Sequence, residues 1–192
     1  MDSPYNGHPE NEWPQITENL INAHPLKNEM VSFVQEAWSE IFKSNIGGLR
    51  FGKELFPEPQ LVGTILHNLI GLIISKKYPE YKIGLVKEEK DIHNTINPNL
   101  SLEIKTSSSD NKIFANRSYG QPQSTDAKKN KNGYFLAVNF EKIEECNPNP
   151  KIKLIRIAYL EHTDWIAQSA NTGQQAHLSA QTYRLKFVTL YP

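Results

Sequence analysis

Residues 100–106, with the sequence LSLEIKT, carry apolar side chains at every second position up to Ile104. Successive side chains of a β-strand point to opposite faces, so one face of this segment anchors in a core while Glu103 and Lys105 project together from the other. A carboxylate and an ammonium group held in this way can bind a hard divalent cation and orient a water molecule beside it. The segment therefore predicts a strand with one core face and one chemically active face.

The spacing of Glu103 and Lys105 is weak evidence alone, because an acidic residue two positions before a lysine occurs five times in the chain. The five pairs are Glu80/Lys82, Glu88/Lys90, Glu103/Lys105, Asp110/Lys112 and Asp126/Lys128. Only Glu103/Lys105 lies on an alternating strand that follows a second segment, residues 90–92, whose Asp91 can add a carboxylate from a neighbouring strand. Context, rather than spacing, singles out this pair.

The length of 192 residues suits one compact domain with a substantial core. We expect residues 1–60 to form a loosely held tail, up to residue 14, followed by a helical region for packing or dimerisation. Residues 61–192 are then the core that carries the site. A hydrophobic content of 38% and a charged content of 22% are typical of a globular protein rather than a disordered one.

Several features favour a protein of the cytoplasm. No apolar run approaches the roughly 18 residues of a membrane span, and residues 1–12 lack the apolar core of a signal peptide. The single cysteine, Cys146, excludes an internal disulfide and is compatible with a reducing compartment. We therefore expect a cytoplasmic location and no membrane partner.

The net charge of zero argues against a nucleic-acid-binding protein, but the charge is unevenly distributed. Residues 1–60 hold nine acidic against four basic side chains, whereas residues 61–192 hold 12 acidic against 17 basic ones. Residues 105–132 contain six basic and two acidic residues. Positive charge is thus concentrated just after the strand that carries Glu103 and Lys105.

Periodicity predicts helices and strands along the chain. The predicted helices are residues 16–23, 26–44 and 61–77, with a short helix or turn at 163–168. The predicted strands are residues 81–86, 90–95, 100–106, 133–140, 151–160 and 183–190. The short turn at residues 97–99 makes its two flanking strands antiparallel, so Asp91 and Glu103 lie near corresponding ends of a hairpin.

The chemistry predicted at this hairpin is metal-dependent hydrolysis of a phosphodiester bond. Mg²⁺ prefers oxygen ligands and uses one or two carboxylates, which Asp91 and Glu103 supply, and the backbone carbonyl of Ile104 can add a third oxygen. Lys105 then contacts the attacking water or a phosphate oxygen and stabilises the transition state. The alternative is that Glu103 and Lys105 form a solvated ion pair and Asp91 is a surface acid.

The polar loops around this site favour double-stranded DNA as the substrate. Hydroxyl groups suit phosphates, arginine suits guanine, and asparagine and glutamine suit adenine. The alternative is an ordinary polar surface loop with a solvated lysine run. The candidate DNA-binding residues are Ser107, Ser108, Asn116, Arg117, Ser118, Tyr119, Gln121, Lys128, Lys129, Gln174 and Gln175.

The chain resembles the ScaI-like type II restriction endonucleases of the PD-(D/E)xK nuclease superfamily. The resemblance lies in residues 90–92 (KDI), 101–108 (SLEIKTSS), 114–121 (FANRSYGQ), 133–140 (GYFLAVNF), 164–166 (DWI) and 173–176 (GQQA). It implies an α/β nuclease core, with a central mixed sheet flanked by helices and an N-terminal helical region. It also implies Mg²⁺ as cofactor and a prokaryotic homodimer that cuts both strands of a short palindromic site.

Two positions depart from the superfamily pattern. Asp91 follows Lys90 where the motif has a proline. The acidic residue that this superfamily often carries on a helix has no clear counterpart, and the accessory candidates in its place are Glu36, His67 and Asn68.

The predicted function is a type II restriction endonuclease. A DNA repair or junction-resolving nuclease has the same catalytic residues but lacks base-reading loops. A non-catalytic DNA-binding regulatory module is a third possibility, in which the Glu103/Lys105 pair is only an ion pair.

Overall fold

The computed structural model describes residues 3–86, 88–121, 131–170 and 172–192. Over these ranges the chain forms four α-helices and eleven β-strands, separated by short 3₁₀ helices and loops. The helices are α1 Trp13–Asn22, α2 Met30–Lys43, α3 Pro59–Lys77 and α4 Ala180–Lys186. The strands are β1 Asn45–Ile46, β2 Leu49–Arg50, β3 Tyr81–Ile83, β4 Ile92–Asn94, β5 Leu102–Ser107, β6 Phe114–Asn116, β7 Gly133–Phe140, β8 Ile152–Leu160, β9 Trp165–Ala167, β10 Gln175–Leu178 and β11 Phe187–Tyr191.

A six-stranded mixed sheet in the order β11-β8-β7-β5-β4-β3 forms the centre of the fold. Strands β5 and β7 are parallel, and the other neighbouring strands are antiparallel. Residues of α1, α2 and α3 share a hydrophobic cluster with one face of this sheet. The predicted class is therefore confirmed: a central mixed sheet flanked by helices, with a helical N-terminal region.

The central sheet is covered on both faces. On β5, Leu102 and Ile104 join the cluster that contains the three long helices. Glu103 points to the opposite face, where its partner on β7 is Phe135. Phe135 belongs to a second cluster, built against a separate three-stranded sheet in the order β6-β10-β9. The face of β5 that carries Glu103 is therefore enclosed, because the smaller sheet covers it.

The predicted strands agree best with the structure in the middle of the chain. Strand β7 has the predicted bounds, and β8 begins one residue later than predicted. The predicted strand 183–190 is wrong in its first half, because α4 continues to Lys186. The Ser179 side chain accepts a hydrogen bond from the backbone N–H of Thr182, which caps α4 and stabilises a helix over this polar segment.

Tyr5 anchors to the sheet a segment that the sequence analysis predicts as a loosely held tail. Tyr5 is buried, and its hydroxyl donates a hydrogen bond to the carbonyl of Tyr159 on β8 at 3.0 Å. The Lys186 ammonium lies 4.1 Å from the centre of the Tyr5 ring. The same ammonium group pairs with Glu161 at 3.0 Å and with Asp164 at 2.9 Å. This buried ion cluster therefore joins the N-terminal segment to α4.

Replacing Lys186 by methionine is expected to destabilise the protein by about 3–5 kcal/mol, because the mostly buried carboxylates of Glu161 and Asp164 lose the ammonium group that pairs with both. The Lys186 side chain is only 3% exposed, so water cannot take the place of the missing charge. Urea unfolding of the two proteins measures the difference. The control is Lys43→Met, which removes an exposed pair with Glu40 and should change stability little.

His24 connects the N-terminal helices to the start of β5. Its ring is 2% exposed and its Nε2 lies 3.1 Å from the carbonyl of Leu100. The backbone N–H of Leu26 donates a hydrogen bond to Nδ1 of the same ring. Both contacts together require a neutral ring with the proton on Nε2, and burial lowers the pKa of His24 from 6.5 to about 4.

This burial predicts an acid-sensitive stability. The unfolded chain binds a proton at His24 near the ordinary pKa, whereas the folded chain binds it only near pH 4. Stability is therefore complete above the ordinary pKa and is lost as the pH falls toward the folded pKa, by about 3 kcal/mol in total. We therefore expect the wild type to have a higher free energy of unfolding than His24→Gln at neutral pH. The difference between the two proteins should shrink as the pH falls toward 4.

Within the described ranges, no helix is both long and apolar enough to cross a membrane. Helix α2 shares its hydrophobic cluster with α3 and the central sheet. The division of the chain at residue 60 stays a prediction.

Candidate active site

Asp91 and Glu103 lie side by side where two antiparallel strands pair. Ile92 pairs with Leu102, so Asp91, the residue before β4, is brought beside Glu103 on β5. The Asp91 Oδ2 atom accepts a hydrogen bond of 2.7 Å from the backbone N–H of Ile104. The N–H and C=O of a strand residue point to the same edge, so the Ile104 carbonyl is also directed toward Asp91.

Glu103 and Lys105 form an ion pair that is mostly buried. The Lys105 Nζ atom lies 2.7 Å from Glu103 Oε1, and the two side chains are 15% and 3% exposed. On the neighbouring strand β7, their partners are Phe135 and Ala137, both of which are buried. A charged pair is costly to bury, so its position beside a third charged group indicates a functional site.

Tyr119, on the 3₁₀ helix that follows β6, also contacts Glu103 and Lys105. Its hydroxyl donates a hydrogen bond to Glu103 Oε1, and Lys105 Nζ lies 4.9 Å from the centre of its ring. Burial first, and then the charges of Glu103 and Asp91, raise the pKa of Tyr119 above its usual range, so the hydroxyl stays a donor. The ring is buried, which corrects the prediction that Tyr119 contacts DNA.

A close backbone approach holds Tyr119 in this position. Tyr119 lies on the short 3₁₀ helix Arg117–Gly120, which packs against β9. A Cβ atom at Gly120 would lie 2.4 Å from the backbone nitrogen of Ala167, so only glycine fits there. The Tyr119 ring also packs against the ring of Trp165, with centroids 5.5 Å apart. The three-stranded sheet therefore determines where the tyrosine hydroxyl lies.

Helix α3 places His67 next to Asp91. The His67 Nε2 atom lies 3.6 Å from Asp91 Oδ1. The helix lies close to β5, since a Cβ atom at Gly63 would be 2.6 Å from the Thr106 hydroxyl. Of the three accessory candidates, only His67 is brought to the site.

The other two accessory candidates lie elsewhere. Asn68 is exposed on α3. Glu36 is exposed on α2, where it lines a separate groove between α2 and α3 together with Glu40.

A cleft of about 720 Å³ opens in front of the cluster. It is lined by Lys105, His67 and residues from the β5–β6 connection, and by all of β6 and the first residue of β10. Four of the candidate DNA-binding residues line this cleft: Ser107, Ser108, Asn116 and Gln175. Polar groups that can contact phosphates and base edges are thus gathered beside Lys105.

The remaining candidate DNA-binding residues that the structure describes do not line the cleft. Arg117 donates from one guanidinium nitrogen to the carbonyls of Ala170 and Gly173, both at 3.3 Å, so its side chain holds the β9–β10 connection. Ser118 and Gln121 accept hydrogen bonds from Lys131 through their carbonyls. Gln174 is exposed beside Gln175. Lys128 and Lys129 lie outside the described residues.

The family model of the ScaI restriction endonuclease matches residues 3–191. This chain belongs to the ScaI restriction endonuclease family. The type II restriction enzyme ScaI of Streptomyces caespitosus is 38% identical over 193 residues, which cover 99% of this chain and 85% of that protein. The match covers both strands of the acidic hairpin, the 3₁₀ helix with Tyr119 and the smaller sheet.

Membership of the ScaI family confirms the predicted function, a site-specific restriction endonuclease. It implies binding to DNA and a divalent metal cofactor. The repair nuclease and the non-catalytic regulatory module are not favoured.

The donor atoms of this ScaI-family site fit a hard divalent cation. Asp91 and Glu103 offer carboxylate oxygens, and the Ile104 carbonyl is directed toward the same place. Over the described part of the chain, no group of three or more His, Cys, Asp or Glu side chains is arranged to hold a metal ion. A site of two carboxylates and a carbonyl leaves the remaining positions to water and substrate oxygens.

Two buried polar residues that the sequence analysis missed support the loop that lines the cleft. Asn139, fully buried on β7, donates hydrogen bonds to the carbonyls of Ser109 and Lys112 at 3.0 and 2.9 Å. Arg156 on β8 donates to the Asn139 side chain at 3.1 Å and to the carbonyl of Asn111 at 2.6 Å. Together they fix the β5–β6 connection, which lines the cleft after Lys105. Polar residues within otherwise apolar strands were the available signal in the sequence.

Proposed function

We propose that this ScaI-family enzyme cleaves both strands of double-stranded DNA at a short palindromic sequence, with Mg²⁺ as cofactor and with Asp91, Glu103 and Lys105 as its catalytic residues. The observation that carries the proposal is the mostly buried Glu103–Lys105 pair, with Asp91 just before the neighbouring strand, at the edge of a polar cleft. An enclosed pair of opposite charges beside another acid is costly to bury, and such groups are concentrated at sites that act on a ligand.

In this proposal Asp91, Glu103 and the Ile104 carbonyl hold the metal ion. The all-oxygen donor set supports Mg²⁺, which uses one or two carboxylates and keeps several water molecules. The bound ion supplies a more acidic water and neutralises charge that builds up on the phosphate oxygens. His67, 3.6 Å from Asp91, is positioned to orient that carboxylate.

Lys105 has the role of an electrostatic catalyst. Its ammonium group lies in the cleft wall and is mostly withdrawn from water. A hydrogen-bond donor that is shielded from water stabilises a developing negative charge more strongly than a donor in bulk solvent. Lys105 donates a hydrogen bond to the attacking water or to a non-bridging phosphate oxygen, and Glu103 keeps its ammonium group oriented until substrate binds.

A homodimer is part of the same proposal. A palindromic duplex has two-fold symmetry, and two copies of one chain match it with one active site per strand. The helical region within residues 1–60 is the proposed dimerisation element, and residues 61–192 are the proposed nuclease core. The bacterial source of the related enzyme supports a location in a prokaryotic cytoplasm, where the host and invading DNA are found.

Digestion of a sequenced plasmid in Mg²⁺, followed by mapping of the ends, tests this proposal. The expected result is a set of discrete fragments whose ends share one short palindrome, with no cleavage when the metal ion is chelated. Smeared products, or cuts only at branched structures, support a repair nuclease instead. Binding without cleavage at any divalent metal concentration contradicts the proposed catalysis.

A further inference from the structure

The smaller sheet has one packed face and one exposed face. Ala115, Ala176 and Trp165 lie on the packed face, in the cluster that covers Phe135. The alternate residues of β6, β10 and β9, together with the residue after β9, lie on the other face. These face residues are Phe114, Asn116, Gln175, His177, Ile166 and Gln168.

The amide side chains of Asn116 and Gln175 lie side by side on this face. The two residues are direct partners in the antiparallel pairing of β6 with β10. The backbone N–H of Arg117 donates to the Gln174 carbonyl, and that of Gln168 donates to the Gln175 carbonyl. Asn116 and Gln175 therefore form the non-hydrogen-bonded type of pair, in which Cα atoms are about 4.5 Å apart and side chains are closest.

This amide pair lies at the edge of the active-site cleft. Asn116 and Gln175 line the same cleft as Lys105, and Phe114 also contributes to its wall. The opposite face of the smaller sheet is fixed by buried Ala176 and Trp165, and by the close backbone contact at Gly120. A rigid support of this kind holds side chains at a fixed distance from the reacting phosphate.

We infer that the exposed face of the smaller sheet reads A·T base pairs in the DNA major groove, with Asn116 and Gln175 bound to adenine. This inference rests on the proposed function and adds its specificity residues. The major groove of B-DNA admits a two-stranded β-ribbon, and asparagine or glutamine forms two hydrogen bonds with the N6 and N7 atoms of adenine. Phe114 and Ile166, both partly exposed, contact thymine methyl groups.

The composition of the face favours base edges over phosphates as its ligand. None of the six residues is an acid, a lysine or an arginine, whereas phosphate contacts depend on basic side chains. Amide side chains match the N6 and N7 atoms of adenine, and apolar side chains match the thymine methyl group, in the major groove. The basic side chain of Lys105 lies at the cleft, beside this face, where a phosphate would be cleaved.

The test uses short duplexes that contain the cleavage site mapped on the plasmid. Each adenine is replaced in turn by 7-deaza-adenine, which lacks N7, and each thymine by uracil, which lacks the methyl group. For the wild type, single-turnover cleavage should fall by about 5- to 150-fold at one or more adenines. Asn116→Ala and Gln175→Ala should cleave the normal duplex more slowly. In each variant, 7-deaza-adenine at the position that the missing amide reads should no longer slow cleavage.

Gln181→Ala, at an exposed glutamine on α4 outside the cleft lining, is the matched control and should retain the wild-type response. The inference is overturned if the wild type tolerates 7-deaza-adenine at every position, or if both variants keep the full wild-type penalty. Either result leaves the proposed nuclease intact, because the wild type still cuts its site. Failure of the wild type to cut any DNA instead contradicts the proposed function.

Discussion

Lys105→Met is expected to reduce DNA cleavage by about 10³-fold or more, while DNA binding changes by only a few-fold. Methionine keeps the length of the side chain and its apolar stem but has no charge. Lys105 is 15% exposed and its ammonium group lies 2.7 Å from Glu103, so the substitution removes a positive charge that is held in place beside the carboxylate. Single-turnover cleavage of the plasmid in Mg²⁺ measures the catalytic loss, and gel-shift titration without metal measures binding.

The chain offers a matched control in another of its acid-x-lysine pairs. Lys112 belongs to the Asp110/Lys112 pair, is exposed, and lies on the β5–β6 connection near the same cleft. Lys112→Met should remain within a few-fold of the wild type. Cleavage by Lys105→Met at a rate close to that of Lys112→Met would show that position 105 has no catalytic role. Thermal melts of both variants separate a catalytic loss from unfolding.

Tyr119→Phe is expected to lower the cleavage rate by about 10- to 100-fold and to raise the Mg²⁺ concentration needed for half-maximal activity. Phenylalanine keeps the ring beneath Lys105 but removes the hydroxyl that donates to Glu103. Glu103 then loses a fixed donor in a buried place, so its carboxylate is less well oriented toward a metal ion. The KM for DNA should change little, because Tyr119 is buried and does not face the cleft.

Tyr134→Phe controls for the loss of any buried tyrosine hydroxyl. Tyr134 lies on the other face of the central sheet, where its hydroxyl donates to the carbonyl of Leu20 at 3.3 Å. Both substitutions should reduce stability, but only Tyr119→Phe should change the metal dependence of cleavage. An unchanged Mg²⁺ titration for Tyr119→Phe, measured also by direct calorimetric binding of the metal, would contradict the positioning role.

The sequence contained enough information to find the acidic hairpin. Alternation over residues 100–106 identified β5, and the short turn before it required the antiparallel pairing that brings Asp91 to Glu103. Periodicity also identified the three long helices, because each has a broad apolar face that packs on the sheet. These features depend on local pattern, which is why they could be predicted.

The environment of Glu103 could not be predicted in the same way. Tyr119 is 16 residues away in the chain and reaches Glu103 only because the 3₁₀ helix packs on β9. Strands β6 and β9 have three residues each, which is too short for alternation to distinguish them from a loop. The sequence therefore predicts a polar loop at β6, a short helix or turn at β9, which is wrong because residues 165–167 form a strand, and one more base-reading side chain at Tyr119.

The most direct test of the catalytic centre is the metal-dependent cleavage of a plasmid by Glu103→Gln. Glutamine keeps the size of the side chain and can accept the hydrogen bond from Tyr119, but it lacks the negative charge that a metal ion and Lys105 require. We predict no discrete fragments in Mg²⁺ under conditions where the wild type cuts to completion, with DNA binding retained. Fragments formed by Glu103→Gln at the wild-type rate, and at the same positions, would contradict the account.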